Sequence, residues 1–144
     1  MIKKISLFSA FLFPSYAYSA PLPDEHMNFH ISGARQPVID IDTNLPEGFD
    51  VDIDVGRDGS TFMTSQDCVV KNGHIHAGPF TDNGADFLVG SYTISVMSAG
   101  AQFEPQGISK IIGEQGQYLN GPDVKDSDMG VGRVINTSRK FTIQ

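Results

Sequence analysis

Between positions 38 and 56 the chain alternates apolar and acidic residues in two runs, Val38-Ile39-Asp40-Ile41-Asp42 and Asp50-Val51-Asp52-Ile53-Asp54-Val55. Successive side chains of a strand point to opposite faces, so Val51, Ile53 and Val55 share one face and Asp50, Asp52 and Asp54 the other. The pattern predicts two amphipathic strands around the turn-forming Asn44-Leu45-Pro46-Glu47-Gly48, with Asp40 and Asp42 on one arm facing Asp50, Asp52 and Asp54 on the other. An apolar sheet face has to be covered, which calls for a second sheet packed on the first.

The same reading extends along the chain. Residues 20–26 form an extended, Pro-rich arm, and Met27 to Ile31 a first strand. Thr61 to Val70 is a strand that ends at Asn72-Gly73, a hairpin signal because both central residues of the tight turn need positive φ. The return strand is expected over 74–80. Tyr92, Ile94 and Val96 alternate within 87–97 as a core strand, and Phe62 is expected to face inward with them. Ile108, Ile111 and Ile112 are spaced for one short helix within 104–112. Residues 123–128 read as a solvated acidic loop, and 131–135 and 139–143 as two closing strands. The fold class is therefore all-β, an antiparallel β-sandwich of seven to eight strands with at most one short helix.

Residues 1–19 read as a secretory signal peptide, with Lys3 and Lys4 before the apolar run from Ile5 to Phe13 and a small-residue cleavage site near Ser19. The domain then spans 20–144, exported to the periplasm or beyond and carrying no membrane anchor once the leader is removed. With Lys3 and Lys4 gone, eight basic residues face 17 acidic ones, a formal charge of −9. That balance disfavours nucleic acid and anionic membranes as partners. The lone Cys68 excludes an intramolecular disulfide and reads as a buried small hydrophobe beside Val69 and Val70.

Asn44-Leu45-Pro46-Glu47-Gly48 before a strand, Val70-Lys71-Asn72-Gly73 at a hairpin and Gly90-Ser91-Tyr92-Thr93-Ile94-Ser95-Val96 farther on together resemble the immunoglobulin-like or transthyretin-like modules of bacterial exported proteins. The likeness covers roughly 38–97 and the last strand. It implies a sandwich and no functional residue, since fold does not determine function. The sequence contains neither the Trp nor the cysteine pair of an antibody-type domain.

Two features carry chemistry. All four histidines come in close pairs, His26 with His30 and His74 with His76. A spacing of two on a strand puts both rings on one face about 6–7 Å apart, within reach of a shared Cu or Zn ion. For all four to act together, the strand from His74 must lie near the strand of His26 and His30. The acidic residues Asp40, Asp42, Asp50, Asp52 and Asp54 are the second feature, a solvated face that also suits Ca²⁺ or a basic partner. An EF-hand is excluded, because its sixth position would be Val55 and its twelfth Thr61. Neither a nucleophile elbow, a phosphate-cradling glycine loop nor a zinc-protease helix motif occurs in the sequence. The expectation is an exported non-catalytic module with no cofactor, binding a protein or small ligand. A copper- or zinc-binding protein is the first alternative, and a small hydrolase using Cys68 with a histidine the second.

Overall fold

The computed structural model describes residues 21–144, so the leader expected over 1–19 lies outside the described residues. Strands β1 (Met27–Ser32), β2 (Val38–Thr43), β3 (Asp50–Arg57), β4 (Met63–Val69), β5 (His74–Ala77) and β6 (Gly90–Met97) come first. A 3-10 turn at Ala101–Phe103 and helix α1 (Gln106–Ile112) follow, and β7 (Val124–Asp126) and β8 (Arg133–Ile143) close the chain. They form two antiparallel sheets, one of three strands in the order β1-β2-β5 and one of five in the order β4-β3-β6-β8-β7. No helix among the described residues is long and apolar enough to cross a membrane.

One buried cluster joins the sheets. Ile39, Ile41, Ile75 and Ala77 of the small sheet meet Val51, Ile53, Val55, Ile94 and Val96 of the large one. Alternation therefore sorts the side chains as the sequence implies, with Asp52 exposed and Asp50 and Asp54 half-buried on the outer face. Phe62 is only partly buried and packs edge-on against Phe87, which stacks on Tyr92 with ring centroids 4.9 Å apart. The Tyr92 hydroxyl donates to the Leu88 carbonyl at 2.6 Å.

Several expectations are corrected. The two acidic runs do not face each other: β2 pairs with β1 and β5, whereas β3 pairs with β4 and β6 in the other sheet. Residues 44–49 are a crossover between sheets, anchored by buried Leu45 and Phe49. The Asn72-Gly73 hairpin turn closes as expected, with both φ angles positive (54° and 71°) and Lys71 and His74 exchanging backbone hydrogen bonds at 2.9 and 3.1 Å, but the strands it joins, β4 and β5, belong to different sheets. The crossovers lie side by side, with the Gly48 N–H donating to the Val70 carbonyl at 2.8 Å and the Asn72 N–H to Glu47 Oε2 at 2.7 Å. Strand β5 stops at Ala77, before Gly78 and Pro79, because proline has no N–H to extend a ladder.

The two closing strands are a single 11-residue strand, β8. Its polar centre, Asn136-Thr137-Ser138, stays extended because β6 pairs with it continuously from Met97 opposite Asn136 to Gly90 opposite Ile143. The acidic stretch at 123–128 is not simply a solvated loop. Val124–Asp126 is β7, and Asp123 is buried, its Oδ1 accepting from Thr137 Oγ1 at 2.6 Å. The N-terminal arm is likewise tied down: Glu25 is buried, its N–H donates to the Asn120 carbonyl at 2.8 Å, and its Oε1 accepts the Asp123 N–H at 2.6 Å.

Candidate metal centre on the three-stranded sheet

Ile39, Ile41, Ile75 and Ala77 turn into the core, so their neighbours Asp40, Asp42, His74 and His76 must stand on the outer face of the small sheet. Register then decides who meets whom. Asp40 lies opposite His76 and Asp42 opposite His74 across β2–β5, while Asp40 lies opposite His30 across β1–β2. The central strand thus carries two carboxylates between histidines on both flanks.

The resulting contacts are short. His76 Nδ1 lies 2.6 Å from Asp40 Oδ1, and His74 Nε2 lies 3.0 Å from that same oxygen. The other nitrogen of His74, Nδ1, lies 3.0 Å from Asp42 Oδ1. Asp42 Oδ2 turns the other way, 3.4 Å from His30 Nε2. With both ring nitrogens against carboxylates, His74 is held above its usual pKa, chiefly by the hydrogen bond to Asp42 and then by that to Asp40. The hydrogen bond to His76 holds the Asp40 carboxyl low, and that to His74 does the same for Asp42.

Asp40, His74 and His76 each offer a ligand atom, all within 4.8 Å of one another, the one such group of three among the described residues. Two imidazoles and a carboxylate form a donor set suited to Zn²⁺ or Cu²⁺, whose bonds of about 2.0–2.2 Å place neighbouring ligand atoms roughly 3–3.5 Å apart. Asp42 adds a feature such sites share, a carboxylate on the far nitrogen of a ligating imidazole that fixes its tautomer and orientation. His74 and His76 are both partly exposed, so the group faces solvent.

The four-histidine arrangement is not what the fold builds. β2 separates β1 from β5, so His30 reaches the cluster only through Asp42. His26 is exposed just before β1, its backbone N–H donating to Asn44 Oδ1 at 2.9 Å, and belongs to no three-ligand group. Asp50, Asp52 and Asp54 lie on the other sheet. The His74/His76 pairing was readable from its spacing; Asp40 as their partner required knowing that β2 neighbours β5. Cys68 is buried, and burial pushes its thiol up to about 11, which keeps it protonated at neutral pH.

Comparison with family models, with curated proteins and with solved structures gave no match for this chain.

Proposed function

We propose that the chain is an exported, non-catalytic β-sandwich protein that binds one divalent transition-metal ion, Zn²⁺ or Cu²⁺, through Asp40 Oδ1, His74 Nε2 and His76 Nδ1. The observation that carries this reading is His74, which turns Nε2 toward Asp40 and His76 while Asp42 holds Nδ1. That is how a ligating imidazole is oriented when its second nitrogen needs a fixed proton. The leader-like N-terminus supports export, and the protonated thiol of Cys68 favours binding over nucleophilic chemistry.

Isothermal titration of untagged protein with ZnCl₂ and CuCl₂ at pH 7.5 tests the proposal. Saturable uptake of one ion per chain is expected, abolished by the double substitution His74→Ala/His76→Ala and retained in His26→Ala/His30→Ala. Equal, weak uptake by all three proteins would overturn it. Neutral imidazole is the ligating form, so uptake should weaken on acidification, beginning above the ordinary histidine value of about 6.5 because the hydrogen bonds to Asp42 and Asp40 raise the His74 pKa.

A further inference from the structure

On the large sheet, Asp52 of β3 lies directly opposite Asp67 of β4, an arrangement of like charges that weakens a ladder. Glu104, between the 3-10 turn and α1, reaches back to the same place. Its Oε2 accepts the Asp50 N–H at 2.9 Å, whereas its Oε1 is buried with no hydrogen-bond partner among the described residues, and the residue as a whole is 7% exposed. Asp50, Asp52, Asp67 and Glu104 line one small cavity of about 50 Å³. No Lys or Arg among the described residues forms an ion pair with any of the four; the two such pairs join Arg139 to Asp123 and Lys140 to Asp58. Burial lifts Glu104 to about 7, and the hydrogen bond with Asp67 lifts Asp52 to about 6.

Met97, Ala99 and Phe103 line that cavity and also a larger, mainly apolar groove of about 420 Å³ that Met129, Val131 and Val134 line as well. Phe103 is 70% and Met129 87% exposed at its rim. Exposed apolar side chains gathered beside one groove are of the kind that line interaction sites. Lys125, Asp126 and Asp128 also border the groove, adding net negative charge.

We propose that cavity and groove together form a docking site for a peptide segment of a partner protein in which Lys or Arg adjoins a large apolar residue. The cation occupies the cavity lined by Asp50, Asp52, Asp67 and Glu104, and the apolar neighbour lies in the groove against Phe103 and Met129. Charge complementarity selects this occupant. A bare metal ion is a poorer match, because the four carboxyls do not gather three ligand atoms within 4.8 Å as Asp40, His74 and His76 do. A guanidinium with several N–H donors spans separated acceptors that a 2.3–2.6 Å calcium shell does not. The site is on the opposite sheet from the proposed metal centre, so each can fail without the other.

The test is a ¹H–¹⁵N NMR titration of the purified protein at pH 7.5 with end-blocked tetrapeptides. Gly-Leu-Arg-Gly and Gly-Arg-Leu-Gly are compared with the same peptides carrying Glu for Arg or Ala for Leu, and with CaCl₂. Saturable shifts at residues 97–104 with a Leu/Arg peptide are expected, with binding about tenfold weaker when either the cation or the apolar residue is replaced. Glu104→Gln and, on the exposed edge strand, Asp67→Asn should each weaken it severalfold without changing Zn²⁺ uptake. Equal binding of Arg and Glu peptides, shifts elsewhere, no binding at all, or saturation of these signals by CaCl₂ alone would overturn the proposal.

Discussion

Asp42 Oδ1 sits 3.0 Å from His74 Nδ1 and thereby leaves His74 Nε2 facing Asp40, so the residue that orients the candidate metal site is not one of its ligands. Replacing Asp42 with Asn removes the anionic acceptor but keeps the shape. Zn²⁺ affinity should fall by about 10–100-fold while one ion per chain is still bound. Competition against a chromogenic chelator measures this; an unchanged affinity would mean that Asp42 plays no part in the site.

Glu104 gives a pH signature separate from the histidines. Its folded pKa of about 7 lies above the unfolded value of 4.5, so the folded state binds the proton more tightly. The stability it contributes is present in full below pH 4.5 and is lost as pH rises through 7. The whole span is at most roughly 3–4 kcal/mol. In urea melts at pH 5 and pH 8, Glu104→Gln should narrow the stability difference between the two conditions. Parallel profiles for wild type and variant would contradict the buried, partnerless oxygen.

Thr137 tests the polar seam between β7 and β8. Its hydroxyl donates to Asp123 Oδ1 at 2.6 Å, and Asp123 Oδ2 is already buried without a partner. Thr137→Val should therefore destabilise by about 1–3 kcal/mol, against near zero for Ser138→Ala on the exposed face of the same strand. Chemical denaturation compares them, and equal midpoints would return Thr137 to an ordinary strand residue.

Ile53 is fully buried between the sheets. Ile53→Ala should cost about 2–5 kcal/mol by leaving a cavity that the two sheets cannot close. A loss under about 1 kcal/mol in urea melts would mean that this layer is loosely packed.

What the sequence made legible is the local part of the fold. Period-two alternation fixes the inward faces of Val51, Ile53 and Val55 and of Tyr92, Ile94 and Val96, and side-chain direction depends only on the backbone pleat. Pairing depends on contacts far apart in sequence. The runs holding Asp40 and Asp50 look like a hairpin, but buried Leu45 and Phe49 carry the chain to the other sheet, and only the packed core decides that. The same limit hid the site: Asp40 and His74 are 34 positions apart and meet only because β5 returns beside β2. Glu104 left no signal, since a Glu beside Phe103 and Pro105 reads as a surface charge until its burial is seen.

The proposed metal site, Asp40, His74 and His76 on the outer face of the small sheet, can be seen directly. Anomalous diffraction at the zinc edge from crystals of the Zn²⁺-loaded protein tests it most directly. One strong peak is expected about 2.0–2.2 Å from Asp40 Oδ1, His74 Nε2 and His76 Nδ1, with Asp42 still on His74 Nδ1. No peak there, or a zinc ion bound only at lattice contacts or elsewhere on the chain, would contradict it.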